Sequence, residues 1–256
     1  LPALARAQLQ LLLRAGSIAP TVAAAGLLER LRDETRSVVL SAEDPELRRH
    51  LAARRTEGVV VNLNYLGEAV LGEREAEARC AAYRALLERP DVHAISVKLS
   101  SIASTHHIDP LAFDATLAEL KPRLHAIYQT ALEQRAHWPD GSERPKLVTL
   151  DMEAHRELPL TIELFTQLAR EPALSALPMG IVLQAYLPEA YAYQRELQQV
   201  AQARVSQGGA PLYIRLVKGA NLAAELADSS RHSWTAPTFE DKTLVDANYK
   251  RMLEFA

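Results

Sequence analysis

The chain has 256 residues, of which 48% are hydrophobic and 24% are charged, and its formal net charge is −3. This composition indicates a globular protein with one large or two small cores, and it lacks the basic excess of a nucleic-acid-binding protein. The single cysteine, Cys80, excludes an intramolecular disulfide and any cysteine-rich zinc site, and it fits the reducing cytoplasm. No apolar run reaches the roughly 20 residues of a membrane-spanning helix.

The first 50 residues are predicted to form a helical arm or cap. The opening segment LPALARAQLQLLLRAG interleaves apolar residues with Arg and Gln, which is the pattern of an amphipathic helix and not of a signal peptide. We therefore assign residues 1–50 to an N-terminal helical region and residues 51–256 to a second domain.

Five strand-helix units follow one another in this second domain. The predicted strands are GVVVNLN (58–64), HAISVKLS (93–100), KLVTLDM (146–152), GIVLQAYL (180–187) and LYIRLVKG (212–219). Each of the first four precedes a segment with apolar residues at helical spacing, and the fifth leads through a polar loop to a helix around Met252. Strands that alternate with helices predict a parallel sheet.

The pattern favours a (β/α)8 barrel over an open doubly wound sheet. Such open sheets often carry a glycine-rich phosphate turn after the first strand, but here NYLGEAVLGE follows it, without G-x-G-x-x-G. A complete barrel has eight units in about 250 residues, whereas residues 51–256 contain five. The predicted class is therefore α/β, a barrel of which three units are expected to lie outside this sequence.

Polar side chains lie near the carboxyl ends of all five predicted strands. They are Asn64, Lys98, Asp151, Gln184 and the pair Arg215 and Lys218. Barrel enzymes carry their active sites at this end of the strands, so these side chains predict a functional site. Lys98 shares its strand face with Ala94, Ser96 and Ser100, whose small size leaves room for a ligand.

The residue pattern alone leaves the chemistry open. Lys98 or Lys218 can form a Schiff base with a carbonyl substrate, which would make the protein a lyase. Alternatively, a single polar residue at a strand end can simply cap a helix or pair across a loop.

A metal site is a weaker alternative. Asp151, Glu153 and His155 in DMEAH would share a face as ligands only if the strand continued through all three. His106 and His107 are adjacent on a loop, where histidines are more often solvated. We therefore predict no metal site.

Six motifs, in this order along the chain, resemble the proline dehydrogenases. They are NLNYLGEAVLGEREA, ISVKLSSI, LVTLDMEAH, GIVLQAYLPEA, YIRLVKGANL and DANYKRML. The resemblance covers residues 55–256 and is strongest to the proline dehydrogenase domain of the bifunctional proline utilization A enzymes. It implies a distorted (β/α)8 barrel that binds FAD noncovalently and oxidises L-proline to Δ1-pyrroline-5-carboxylate, the first step of proline catabolism to glutamate.

The resemblance also implies which residues bind the flavin. Arg215 would lie near N5 and Gln184 at the pyrimidine side of the ring. The full implied set is Gln184, Arg215, Val217, Lys218, Gly219 and Ala220. A cation at this place would stabilise the negative charge that develops when hydride arrives.

Four residues would serve the substrate by the same resemblance. Lys98 would help to hold the proline carboxylate, Asp151 would organise the pocket, Ala220 would border it, and Glu68 would form an ion pair that closes the entrance. Lys98, Asp151 and Arg215 are the implied catalytic residues. The family's carboxylate-binding arginines come from a last helix that these 256 residues do not include, so we expect the isolated chain to be inactive.

The implied partners are L-proline, a quinone as electron acceptor and, in the bifunctional members, a C-terminal NAD-dependent aldehyde dehydrogenase domain. A quinone acceptor implies a cytoplasmic protein that can contact the periphery of the inner membrane. No nucleic-acid partner is implied, because the DNA-binding segment that begins some relatives is not recognisable here.

Overall fold

A computed structural model describes residues 20–35, 39–40, 44–66, 70, 72–103 and 112–256. The chain divides into one compact unit of residues 1–53 and another of residues 54–256. The first two described helices are α1 (Pro20–Thr35) and α2 (Asp44–Thr56). The amphipathic helix predicted for residues 1–16 lies outside the described residues.

Seven strands are described in residues 54–256. They are β1 (Asn62–Asn64), β2 (Ala94–Lys98), β3 (Arg135–His137), β4 (Glu143–Pro145), β5 (Leu147–Asp151), β6 (Met179–Gln184) and β7 (Leu212–Val217). Strands β3 and β4 form a small antiparallel hairpin, which the sequence analysis did not predict. The other five form one sheet in the order β1-β2-β5-β6-β7, and all its pairs are parallel.

This strand order confirms the predicted fold class. Each strand of the large sheet lies beside the one that precedes it along the chain, as in a barrel, and the order does not reverse as it does in a doubly wound sheet. The described chain therefore contains five consecutive βα units.

Seven α-helices are described alongside these strands. They are α3 (Glu73–Glu88), α4 (Leu99–Ile102), α5 (Phe113–Glu133), α6 (Leu158–Ala169), α7 (Ala190–Ser206), α8 (Leu222–His232) and α9 (Lys242–Phe255). Helix α8 shows that the polar loop predicted after β7 is wrong. The Leu-Ala-Ala-Glu-Leu run that begins at Leu222 has high helix propensity, and Glu225 in the first turn complements the helix dipole.

The first strand is shorter than predicted. Only Asn62–Asn64 join the sheet, because the preceding residues complete the end of α2. Gly58 has a φ of 72°, and the amides of Gly58 and Val59 donate to the carbonyls of Arg55 and Arg54. This backbone geometry favours glycine and ends the helix before the strand can begin.

The core lies between the sheet and the helices. The predicted apolar stripe of α6, Leu160, Leu164, Phe165 and Leu168, is buried throughout. In β2, β5 and β6 the strand residues that alternate with the site residues are also fully buried and apolar: Ile95, Val97, Val148, Leu150, Ile181 and Leu183. One face of each of these three strands therefore stabilises the fold, which leaves the other face available for the site.

Arg204 of α7 is a buried cation that ties the amino ends of β6 and β7 to α6. Only 7% of the residue is exposed, and burial lowers the pKa of its guanidinium. It donates at 2.5–2.9 Å to the carbonyl oxygens of Ala169, Leu174, Leu177 and Ala210. A Cβ on Gly209 would lie 2.8 Å from Arg204 Cγ, so this close approach requires glycine.

Candidate functional site

The predicted polar residues converge at the carboxyl ends of the strands. The sheet register pairs Lys98 with Asp151 and Val182 with Arg215. Beside them lies a cleft of about 260 Å³. Its lining comes from β2, β5, β6, β7 and the turns after them: Lys98, Asp151, Met152, Glu153, Val182, Gln184, Arg215, Val217, Lys218, Gly219, Ala220 and Asn221.

Asp151 and Arg215 form an ion pair across this cleft. Arg215 Nη2 lies 2.6 Å from Asp151 Oδ1, and Asn64 Nδ2 donates to Asp151 Oδ2 at 3.2 Å. The Asp151 side chain is only 11% exposed, whereas that of Arg215 is 49% exposed. The carboxylate is thus held by β1 and β7 together, and the guanidinium remains accessible from the cleft.

Lys98 has a different carboxylate partner. Its Nζ lies 2.6 Å from Glu153 Oε1, and the hydroxyl of Ser100 donates to Glu153 Oε2 at 3.0 Å. The Lys98 side chain is 16% exposed. Lys98 and Arg215 are therefore held by different carboxylates.

Gln184 joins the end of β5 to the turn that follows β7. Its residue is 1% exposed, its Nε2 donates to the Glu153 carbonyl at 3.0 Å, and its Oε1 accepts from the Ala220 amide at 2.9 Å. Asn221 Nδ2 donates to the same Glu153 carbonyl at 2.7 Å. Both ends of the Gln184 amide are thus engaged by the protein, and its contact with a cofactor stays a prediction.

Gly219 has a backbone geometry and a neighbour that both require glycine. Its φ is 150°, and a Cβ at this position would overlap the ring of Tyr186. Tyr186 is buried, its amide donates to the Lys218 carbonyl at 2.7 Å, and burial raises its pKa to about 12. The backbone at Gly219 therefore packs directly against the Tyr186 ring.

Lys218 extends away from Arg215 towards α9. Its Nζ lies 2.5 Å from Asp246 Oδ1, and Lys242 Nζ lies 2.5 Å from Asp246 Oδ2. Hydrogen bonds from the two lysines lower the pKa of the Asp246 carboxyl. The Lys218 ammonium is thus anchored on α9, while other parts of the residue line the cleft.

Asp151, Glu153 and His155 of the DMEAH motif each bind a different side chain, so they do not form a metal site. Asp151 and Glu153 bind the two cations described above, and His155 Nε2 lies 2.7 Å from Glu189 Oε1. This hydrogen bond raises the pKa of His155 and lowers that of Glu189. Within the described part of the chain, no three His, Cys, Asp or Glu side chains are placed to hold a metal ion.

Three residues named in the sequence analysis cannot be placed. Glu68, implied to close the substrate entrance, lies outside the described residues, and so do His106 and His107. Their roles stay predictions.

Glu157 is a buried acid close to the site. It is 5% exposed, and burial raises its pKa to about 7, with further contributions from the Glu153 and Glu225 charges. Arg156 and Lys98 act in the opposite direction. In the folded protein the pKa of Glu157 lies above its ordinary value of 4.5. The protonated side chain therefore contributes stability that is fully present below pH 4.5 and is lost as the pH rises through about 7.

Replacing Glu157 with glutamine should therefore remove a destabilisation that appears only at high pH. We expect Glu157→Gln to raise the free energy of unfolding by about 2–3 kcal/mol at pH 8.5 and to change it little at pH 4.5. Urea-dependent hydrogen exchange of α6 at the two pH values measures the difference. The same substitution at the exposed Glu196 is the control, and an equal effect of Glu157→Gln at both pH values would contradict the prediction.

The sequence analysis missed the roles of Glu153, Asn221 and Tyr186. Glu153 was considered only as a metal ligand, on the condition that the strand continued past Asp151. Strand β5 ends at Asp151, but the backbone is still extended at Ala154, so Glu153 remains near the face of Asp151. The alternation of side chains was the signal that could have identified it.

None of the described helices combines the length and the apolar character that crossing a membrane requires.

Comparison with known proteins identifies one family and several similar structures. The family model described as proline dehydrogenase matches residues 47–256. Proline utilization A from Corynebacterium freiburgense is 37% identical, with a TM-score of 0.79, over 88% of this chain and 22% of its own. The Bdellovibrio bacteriovorus protein, inactivated by N-propargylglycine, is 28% identical, with a TM-score of 0.70, over 81% of this chain and 22% of its own.

A mutant of proline utilization A from Bradyrhizobium japonicum is 25% identical, with a TM-score of 0.62, over 73% of this chain and 19% of its own. No curated protein matches the chain. The chain thus spans about a fifth of the length of these solved structures, between 19% and 22%.

Proposed function

The chain belongs to the proline dehydrogenase family, and we propose that the cleft at its strand ends serves the oxidation of L-proline to Δ1-pyrroline-5-carboxylate. The observation that carries this proposal is the pair of cations, Lys98 and Arg215, each held by its own carboxylate in one cleft. The Arg215 guanidinium is half exposed and the Lys98 ammonium borders the same cleft, so the cleft presents cationic donors to an anionic group such as the proline carboxylate.

The cofactor of the proposed reaction is FAD. The residues of the cleft fit a flat ring that gains negative charge, because the guanidinium of Arg215 is accessible and the backbone of residues 217–220 lines the same cleft. Gln184, Arg215, Val217, Lys218, Gly219 and Ala220 would hold it. When bound, the flavin supplies a two-electron acceptor for hydride from the ring carbon of proline.

The residues of this chain bind and orient the reactants. Lys98 has three N–H donors, of which it gives one to Glu153 among the described residues, and the other two can serve a substrate carboxylate. Arg215 is fixed by Asp151, so its charge stabilises developing negative charge without reorganising. The nitrogen proton of proline leaves to solvent, and the nitrogen lone pair then assists the loss of hydride from carbon.

The remaining parts of the proposal rest on the similarity to proline utilization A. We propose that the electrons pass to a quinone and that the full-length protein carries a C-terminal NAD-dependent aldehyde dehydrogenase domain. A cytoplasmic location with contact to the membrane periphery suits a quinone acceptor.

The test is an absorption spectrum of the purified full-length protein before and after anaerobic addition of L-proline. We expect flavin bands that bleach with L-proline and not with an equal concentration of L-alanine, which has the carboxylate and amine but no ring. A protein that stays colourless after FAD is supplied, or flavin bands that L-proline does not change, would overturn the proposal.

A further inference from the structure

We propose that Glu153 is the residue that positions Lys98, and that it controls the binding of the substrate carboxylate through that lysine. The inference rests on the proposed function and deepens it. Lys98 is the group that would touch the substrate, whereas Glu153 positions the substrate by fixing where the ammonium lies.

Within the described chain, the Glu153 side chain makes two polar contacts, and both are to the segment that carries Lys98. One carboxylate oxygen lies 2.6 Å from Lys98 Nζ, and the other accepts from the Ser100 hydroxyl at 3.0 Å. Ser100 is 5% exposed and lies two residues beyond Lys98. The two contacts therefore fix the orientation of the carboxylate as well as its distance from the lysine.

The Glu153 backbone is held independently of its side chain. Its carbonyl accepts from Gln184 Nε2 at 3.0 Å and from Asn221 Nδ2 at 2.7 Å. These donors come from the end of β6 and from the turn after β7. Glu153 is thus anchored by two elements and presents its carboxylate to a third, so its position does not depend on Lys98.

Lys98 needs such an anchor more than Arg215 does. A lysine ammonium sits on a flexible four-carbon stem, and ordering this side chain costs about 2 kcal/mol of rotamer entropy. No other carboxylate in the described chain forms an ion pair with Lys98, because Asp151 binds Arg215 instead. Glu153 therefore orders the lysine before a ligand arrives, and a ligand that meets an ordered cation binds more tightly.

Removing Glu153 also has a second effect, which acts in the opposite direction. The loss of one negative charge from the cleft reduces repulsion of the substrate carboxylate. Two substitutions separate these effects: Glu153→Gln removes the charge but keeps an acceptor for Lys98, and Glu153→Met removes the charge and the acceptor together. The ratio of their affinities cancels the charge effect and reports positioning alone.

The experiment measures binding of tetrahydrofuran-2-carboxylate by calorimetry to the flavin-loaded, full-length protein. This compound keeps the ring and carboxylate of proline and has no amine to oxidise. We expect Glu153→Met to bind it about 10-fold more weakly than Glu153→Gln, which corresponds to about 1.4 kcal/mol. In a Lys98→Met background the two variants should differ by less than about twofold, since the effect passes through Lys98.

Equal affinities of the Gln and Met variants would overturn the inference, and so would a ratio that persists in the Lys98→Met background. The matched control is Glu189→Gln, because Glu189 is similarly exposed and pairs with His155, not with Lys98. If Glu153→Met does not fold, Glu153→Asp is compared with the parent protein, which carries the same charge: the shorter side chain no longer reaches Lys98, so positioning predicts weaker binding than in the parent, and equal or tighter binding would contradict it. If the unsubstituted protein does not bind tetrahydrofuran-2-carboxylate, the proposed function is overturned as well.

Discussion

Replacing Arg204 with methionine should lower the free energy of unfolding by about 3–5 kcal/mol, because four carbonyl oxygens, three of them in buried contacts, lose a charged donor. Methionine can fill much of the space of the arginine stem, so the effect reports the lost hydrogen bonds more than a cavity. The total free energy of unfolding of a typical protein is about 5–15 kcal/mol, so this single change should remove a large part of the stability. Hydrogen exchange of α6, β6 and α7 in increasing urea measures it.

The control for this substitution lies in the same helix. Arg195 of α7 is exposed, and Arg195→Met should change stability by less than about 0.5 kcal/mol. Arg204→Lys should have an intermediate effect, because a single ammonium cannot reach all four carbonyls at once. Equal stabilities of Arg195→Met and Arg204→Met would show that the hydrogen bonds of Arg204 to the four carbonyl oxygens do not stabilise the fold.

The architecture could be predicted from the sequence because each strand is a short apolar run and the helices that follow have apolar residues at helical spacing. The four stripe residues of α6 are all buried, as their spacing predicted. The hairpin of β3 and β4 was missed although Trp138 is followed by Pro139, Asp140 and Gly141, which is a turn signal. Its strands have three residues each, too short for a periodicity to appear.

The members of the site could also be predicted, but their partners could not. Their positions near the carboxyl ends of parallel strands were enough to place Lys98, Asp151 and Arg215 at one edge of the sheet. Which carboxylate binds which cation depends on how the backbone continues after Asp151. That path is set by the donors of Gln184 and Asn221, which reach Glu153 from positions far along the chain. No local pattern encodes such a contact.

Lys218 illustrates the same limit for a residue implied to contact the cofactor. The resemblance implies that it lies along the flavin, and the structure anchors its ammonium on Asp246 of α9. Asp246 lies in the motif DANYKRML, so two motifs of the resemblance contact one another. A motif identifies which residues matter, and the tertiary contacts determine which of them remain available to a ligand.

Replacing Arg215 with methionine should slow the reduction of bound flavin by L-proline about 10²- to 10³-fold, the range seen when one fixed electrostatic donor is removed from an active site. Arg215 is held 2.6 Å from Asp151 and is half exposed to the cleft, so it supplies a positive charge that needs no rearrangement. Its loss also removes one of the two hydrogen-bond partners of the half-buried Asp151 carboxylate and leaves the Asn64 amide as the other. Anaerobic stopped-flow absorbance of the full-length, flavin-loaded protein measures the rate.

The flavin content of each variant is measured, and the rates are compared per bound flavin, because this separates loss of the cofactor from loss of catalysis. Arg215→Lys keeps a positive charge but not the planar fork that reaches Asp151, and we expect it to retain more activity than the methionine variant. Lys250→Met removes an exposed cation that pairs with Glu254 on α9, and it should leave the rate within about twofold of the parent. If Arg215→Met reduces its flavin as fast as Lys250→Met does, the guanidinium has no electrostatic role, and the pairing with Asp151 serves the fold alone.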